Sequence, residues 1–179
     1  MDSTHQTNHL EWYLYNICVR DEQGSWCPVA HILTAREDSD ITAEGLKVLK
    51  KWCGGCWHLR YMLTDDSAGE QCAVRKAFPG LEAGELEPTH FLCRVHSERA
   101  LQRNFKGKEY ADTLKHLLTA LKYRKSRAGC EESIQQAIRA TRDEKKRKYI
   151  QKEWLTTMDS WANFARTHSC LLLQVSWVS

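Results

Sequence analysis

The order of strand-like and helix-like segments constrains the fold of this chain more than any other feature. Residues 10–19 and 26–34 are rich in β-branched and aromatic residues and flank the turn sequence DEQGS, so they predict a β-hairpin. Residues 59–63 and 89–95 predict two further strands, each followed by a helix-like segment. Strands that alternate with helices are typical of a parallel sheet with flanking helices, so the sequence predicts an α/β fold.

Helix signals account for most of the remaining chain. Ser39 and Asp40 precede an apolar helical pattern that stops at Gly54, as a capped helix with a glycine stop should. Residues 108–168 carry three successive apolar stripes at helical spacing and predict a helical block, after which residues 171–175 predict a return to the sheet. The aromatic residues of this block are interpreted as core rather than as a platform for stacking bases: Trp154, Trp161 and Phe164.

Charge is distributed unevenly along the chain. Residues 1–100 contain 15 acidic and 10 basic side chains, whereas residues 101–152 contain 15 basic and 6 acidic ones. A basic segment of this kind suits a polyanion such as nucleic acid, and it suits a solvated helix face equally well. Its densest part is a run of four cations that fits a nuclear localisation signal, a phosphate-contacting patch or a solvated helix face: Lys145, Lys146, Arg147 and Lys148.

Membrane and secretory features are absent from the sequence. No apolar run approaches the ~20 residues of a spanning helix, and the polar N-terminus lacks the regions of a signal peptide. We therefore expect an intracellular protein without a membrane partner. The eight cysteines, irregularly spaced, then fit reduced thiols, core residues or metal ligands better than a disulfide framework.

Two short motifs have the spacing of metal ligands. Cys53 and Cys56 form a C-x-x-C, and Cys93 and His96 form a C-x-x-H. Seven residues of extended chain from Leu59 to Asp65, at about 3.3 Å each, would separate the two pairs by roughly 20 Å. A shared Zn²⁺ site is therefore disfavoured.

Two aspartates could form a site for a harder metal. Asp65 directly follows a predicted strand, and the carboxyl ends of parallel strands are where such sheets bind ligands. Asp65 and Asp66 could instead be helix caps, with Ser67 as another candidate for the cap. Asp2 would lie in a further, first strand that is clipped to almost nothing before it, and would meet Asp65 if that strand lay beside the strand at residues 59–63, but it could also belong to a solvated terminus. Paired carboxylates are ligands that Mg²⁺ prefers.

These motifs, in this order, resemble the catalytic domain of Mutator-like element transposases, which has a ribonuclease-H-like fold of the Asp-Asp-Glu class. The resemblance is carried by four segments: Asp2–Asn8, Leu63–Asp66 with the following Ala77-Phe78-Pro79, Leu92–His96, and Trp154–His168. It implies a mixed sheet with flanking helices and a C-terminal helical insertion. The implied division is a core at residues 1–107, an insertion at 108–169 and the start of a return strand at 170–179.

The resemblance also implies a chemistry. Asp2 and Asp65 correspond to the catalytic, metal-binding aspartates of the family, and Cys93 and His96 to its Cys-x-x-His motif. The implied cofactor is Mg²⁺ or Mn²⁺ rather than Zn²⁺. The implied partner is DNA, with a homo-oligomer as a further option, and the implied location is the nucleus.

One catalytic residue of the family has no match in this sequence. The family places a glutamate after the helical insertion, in a stretch that begins Thr-Thr-Asn, whereas this chain reads Gln174 to Ser179 there and Glu153 lies too early. We therefore expect an incomplete transposase catalytic domain with little or no activity of its own. One alternative is a non-catalytic, transposase-derived DNA-binding or regulatory protein. Another is a zinc-binding interaction module that uses the two cysteine-containing motifs.

Overall fold

The computed structural model describes residues 1–4, 11–54, 57, 59–65, 67–80 and 88–166, and for residues 2–4 it describes the backbone alone. The chain divides into two compact units, Met1–Phe91 and Leu92–Ser179. Strands and helices are both present, so the predicted α/β class is confirmed. Within the described part of the chain, every helix is too short or too polar to cross a membrane.

The first unit begins with a three-stranded antiparallel sheet in the order β1-β2-β3. Its strands are β1 (Asp2–Thr4), β2 (Tyr13–Arg20) and β3 (Trp26–Thr34). The turn between β2 and β3 contains Gly24 at φ +87°, a conformation that glycine adopts without steric cost. The predicted hairpin is therefore confirmed.

Helix α1 (Ser39–Trp52) follows the hairpin, as predicted. Its N-cap is Asp38, one residue before the predicted Ser39 and Asp40. The Asp38 carboxylate accepts hydrogen bonds from the backbone nitrogens of Asp40 (2.8 Å) and Ile41 (3.3 Å). The helix ends before Gly54, which takes φ +64° in the predicted glycine stop.

A strand, a helix and a strand follow in the predicted order. They are β4 (Tyr61–Thr64), α2 (Ala68–Ala77) and β5 (Thr89–Leu92), and β4 pairs with β5 in a two-stranded sheet. The strand predicted at residues 89–95 is too long. Cys93 is already the N-cap of helix α3 (Arg94–Asn104), so the apolar Val95 that suggested a longer strand lies in the first helical turn.

The core of the first unit lies between the hairpin, α1, β4 and α2. Leu46 of α1 is fully buried, and Phe78 at the end of α2 makes an edge-to-face contact with Trp57, with ring centroids 5.2 Å apart. These residues bury an apolar face of each helix. Removal of apolar surface from water is the main favourable contribution to the free energy of folding. The buried cluster consists of Ile17, Ala43, Leu46, Met62, Ala73, Val74, Ala77 and Phe78.

In the described part of the second unit, the elements that follow Leu92, the last residue of β5, are all helical. After α3 come α4 (Ala111–Lys122), α5 (Arg127–Ala140), α6 (Glu144–Tyr149), a π-helical segment (Ile150–Leu155) and α7 (Met158–Trp161). The predicted helical block is confirmed up to residue 166. The predicted return strand at residues 171–175 lies outside the described residues, and the division at residues 107 and 108 stays a prediction.

Two tryptophans form the centre of the second core. Trp154 and Trp161 are only 4% and 1% exposed, and their rings meet edge to face at 5.2 Å. The indole nitrogen of Trp161 donates to the carbonyl of Trp154 at 3.0 Å, which satisfies its polar atom inside the core. Phe164 packs against the same cluster. The prediction that these aromatic residues belong to the core is confirmed.

Candidate functional site

The start of β1 lies against β4. The terminal nitrogen of Met1 donates a hydrogen bond to the carbonyl oxygen of Leu63 at 2.7 Å, across 62 positions of sequence. Asp2 is the next residue along β1, and Asp65 comes two residues after Leu63. The N-terminal nitrogen therefore lies beside β4, although β1 and β4 belong to different sheets, and a site shared by Asp2 and Asp65 stays a prediction. The side chain of Asp2 lies outside the described residues.

Asp65 stands at the junction between β4 and α2, and its residue is half-buried. The N-cap of α2 is Ser67, whose hydroxyl accepts a hydrogen bond from the backbone nitrogen of Glu70 at 3.3 Å. Asp65 lies two residues before that cap, so the cap interpretation of Asp65 is wrong. Asp66 lies outside the described residues. Asp65 is thus a carboxylate at the carboxyl end of a strand, where ligands commonly bind.

A polar contact between β4 and β5 supports the Asp65 position. The hydroxyl of the fully buried Thr64 donates to the carbonyl oxygen of Asp65 at 2.8 Å, and it lies 2.6 Å from Nε2 of His90. The single hydroxyl hydrogen of Thr64 is used in the bond to Asp65, so the Thr64 oxygen can only accept a hydrogen bond from His90. Nε2 of His90 is therefore assigned as the protonated nitrogen that donates it. Burial, together with the nearby Arg75 cation and the N-terminal charge, lowers the pKa of His90 to about 4. His90 is therefore neutral at physiological pH.

Sequence reasoning missed His90. It lies inside β5 among apolar residues, and its only signal was its place in the strand that follows the Asp65 helix. A histidine in such a strand is recognised as part of a site only when the facing strand is known. The strand pairing of β4 with β5 supplies that information.

The cysteine-containing motifs fall in different places. Cys53 is exposed at the end of α1, and Cys56 lies outside the described residues. Cys93 is buried at the N-cap of α3, and His96 is half-buried in the first turn of that helix. The C-x-x-H motif is therefore a strand-to-helix junction rather than part of a strand.

The predicted basic run forms most of α6, and its members have two kinds of environment. Lys145 and Lys148 are exposed. The ammonium of Lys146 lies 5.5 Å from the ring centroid of Phe105, and the guanidinium of Arg147 donates to the Thr141 carbonyl at 3.0 Å. Half of the run thus contributes to packing, and half is available to a partner.

Comparison with known families assigns the fold of the first unit. Residues 1–83 match the model of a family described as zinc finger SWIM domain-containing protein 1/3, RNaseH-like domain. This segment is therefore similar to an RNase H-like domain. No curated protein matches the chain.

The match confirms the ribonuclease-H-like part of the predicted resemblance. An RNase H-like domain is a nucleic-acid-related domain, and the match contains both Asp2 and Asp65. The match names a SWIM-related family rather than a Mutator-like transposase. The RNase H-like segment falls wholly inside the first compact unit.

Proposed function

We propose that the chain derives from a DNA transposase of the Asp-Asp-Glu class and that Asp2 and Asp65 of its RNase H-like domain bind a divalent metal. The observation that carries the proposal is the 2.7 Å hydrogen bond between the Met1 nitrogen and the Leu63 carbonyl. It holds the residue before Asp2 beside the strand that ends one residue before Asp65. Carboxylates one and two residues away from such a contact can approach one ion, whereas carboxylates on opposite edges of a sheet cannot.

The residues at this place fit Mg²⁺ or Mn²⁺. Carboxylate oxygens are the hard ligands that these ions prefer, and one or two carboxylates commonly bind them together with water and substrate phosphate. Asp65 is half-buried. The residue is therefore only partly in contact with water, and it remains accessible enough for a metal ion to reach it. When bound, such ions supply an activated water or 3′-hydroxyl for attack on a phosphodiester and stabilise the leaving oxygen.

The protein itself would position the carboxylate. Thr64 and His90 fix the backbone carbonyl of Asp65 through two successive hydrogen bonds of 2.8 and 2.6 Å. Ser67 begins α2 immediately afterwards, so Asp65 lies between two anchored elements.

A second candidate function is DNA binding or regulation without catalysis. It is favoured by the exposed Lys145 and Lys148 on α6, which could contact phosphates whether or not a metal binds. This alternative predicts DNA binding that persists when Asp65 is replaced. A nuclear location would follow from either function, since both have DNA as the partner.

Mn²⁺ binding followed by electron paramagnetic resonance tests the metal site. We expect Asp65→Asn to weaken Mn²⁺ binding at least roughly tenfold. Loss of a residue that merely orients a metal ligand typically weakens metal affinity by about that factor, and loss of the ligand itself should weaken it no less. Asp112→Asn, at an exposed aspartate of α4, is the matched control and should bind as the wild type does. Equal Mn²⁺ binding by the two variants would overturn the metal site.

Nicking of supercoiled plasmid in the presence of Mn²⁺ separates the two candidate functions. Weak nicking by the wild-type chain that Asp65→Asn abolishes would support the catalytic origin. Tight DNA binding without nicking, unchanged in Asp65→Asn, would support the non-catalytic alternative.

A further inference from the structure

Helix α6 packs against the end of α3 within the second unit. Three contacts define this packing. The ammonium of Lys146 lies over the ring of Phe105 at 5.5 Å, the amide of Asn104 donates to the Tyr149 hydroxyl at 3.2 Å, and the rings of Phe105 and Tyr149 are 6.1 Å apart. Helix α6, which carries the exposed Lys145 and Lys148, is therefore held beside the C-terminal end of α3.

Helix α3 contributes cations of its own. Arg99 and Arg103 are exposed and lie four residues apart, one turn along the same helix face. Lys106 is exposed just after the helix end at Phe105. None of these three side chains forms an ion pair with the described residues, nor do Lys145 and Lys148.

The acidic groups nearby are already engaged. Glu98, which is the only acidic residue of α3, binds the Lys122 ammonium at 2.6 Å and is only 27% exposed. On the α6 side, Glu144 pairs with Arg147 at 3.3 Å. Asp143 caps α6 through the backbone nitrogens of its first turn, and it accepts a hydrogen bond from the Tyr110 hydroxyl.

One further acid lies close to these cations in sequence. Glu109 is exposed three residues after Lys106, and it directly follows the exposed Lys108. The adjacent lysine offsets its charge. The exposed charge of this region is consequently dominated by cations.

We propose that Arg99, Arg103, Lys106, Lys145 and Lys148 form one surface, the α3–α6 basic surface, that binds the phosphate backbone of double-stranded DNA. The inference rests on the proposed function for the identity of the polyanion, and it goes beyond that function by adding α3 to the interface. The Cα atoms of Arg99 and Arg103 are about 6 Å apart along the helix, and one DNA strand carries a charge about every 3.4 Å of axis. Two arginines so spaced can therefore contact neighbouring phosphates of one strand, and arginine bonds to phosphate in a bidentate way.

The number of exposed cations also argues for a nucleic acid over an acidic protein. A duplex presents phosphates in a continuous array, so every exposed cation of the surface can find one. Contacts of this kind carry no base specificity. The surface should thus bind duplexes of different sequence with similar affinity.

The test compares two triple variants of the full chain on a 30-base-pair duplex across a range of salt concentrations. The first is Arg99→Gln with Arg103→Gln and Lys106→Gln. The matched control, which removes the same charge at other exposed cations of the second unit, is Lys115→Gln with Lys125→Gln and Arg139→Gln. Unchanged circular dichroism and thermal midpoints establish that both variants fold.

We expect the α3 variant to bind at least tenfold more weakly near 100 mM salt, and its plot of log affinity against log salt to be shallower by about 2–3, since each phosphate contact contributes about 0.9. The control should remain within a few-fold of the wild type. Equal weakening of the two variants would overturn the surface, because net charge alone would then explain the binding.

The same experiment separates this inference from the proposed function. Wild-type DNA binding by the α3 variant, together with loss of Mn²⁺ binding in Asp65→Asn, would overturn the α3–α6 basic surface and leave the proposed function intact. Loss of DNA affinity in the α3 variant alone, with Mn²⁺ binding unaffected by Asp65→Asn, would support the surface and overturn the metal site.

Discussion

Nε2 of His90 lies 2.6 Å from the hydroxyl oxygen of Thr64, and that hydroxyl donates to the carbonyl of Asp65. The contact joins the adjacent strands β5 and β4 at the residue before the candidate metal ligand. A neutral imidazole suits this position, since a second cation beside Arg75 would be unfavourable in a buried setting. The arrangement therefore makes the first unit sensitive to acid.

We predict that protonation of His90 destabilises the first unit below neutral pH. Its pKa is lowered from 6.5 to about 4, so the unfolded chain binds the proton more readily between these values. The contribution of neutral His90 to the free energy of unfolding is fully present above pH 6.5 and is lost as the pH falls towards 4. This contribution amounts to no more than ~3 kcal/mol. Urea unfolding at several pH values should show that the free energy of unfolding falls more steeply with decreasing pH for the wild type than for His90→Gln.

His31→Gln, at an exposed position of the hairpin, is the control for that measurement. It should follow the wild-type pH profile. Parallel profiles for the wild type and His90→Gln would contradict the prediction, because carboxylates elsewhere would then account for the whole acid sensitivity.

We predict opposite effects for two glycine-to-alanine substitutions in helices of the first unit. A Cβ atom at Gly45 would lie 2.8 Å from Cδ1 and 2.9 Å from Cγ2 of Ile32, so Gly45→Ala should overpack the contact between α1 and β3. The overpacking cost of about 1–3 kcal/mol exceeds the helix-propensity gain of up to ~1 kcal/mol. The free energy of unfolding should therefore decrease.

Gly69→Ala is the matched substitution in α2. The nearest atom to its added Cβ would be the Ser67 hydroxyl oxygen at 3.5 Å, an ordinary contact distance. The free energy of unfolding should then rise by a few tenths of a kcal/mol, roughly, through helix propensity. Stabilisation by Gly45→Ala in the same denaturation experiment would show that β3 yields to α1 without cost.

We predict that neighbouring lysines of α6 have separate roles. Lys146 lies over the Phe105 ring, so Lys146→Ala should reduce the free energy of unfolding of the second unit by about 0.5–1 kcal/mol. Lys145 is exposed, so Lys145→Ala should change it by no more than about 0.5 kcal/mol. Thermal unfolding measures both changes. An equal loss in both variants would argue against the cation–π contact.

Much of the local structure could be predicted from the sequence. The hairpin follows from two segments rich in β-branched and aromatic residues on either side of the turn that contains Gly24, and α1 follows from its cap and glycine stop. The position of Asp65 after a strand and before a helix was predicted for the same reason. Strand ends were less predictable, and the predicted strand at residues 89–95 was too long, because Val95 is as compatible with a first helical turn as with a strand.

The sequence by itself determined the helices and strands, their order and the α/β class. Turns, caps and apolar periodicity specify these features because they act among residues within a few positions of one another. Only the tertiary structure decided which distant groups meet. Met1 reaches Leu63 across 62 positions and Thr64 reaches His90 across 26, while α6 rests on the end of α3. Such contacts depend on strand pairing and helix packing, in which burial of apolar surface outweighs local preference, so no spacing in the sequence encodes them.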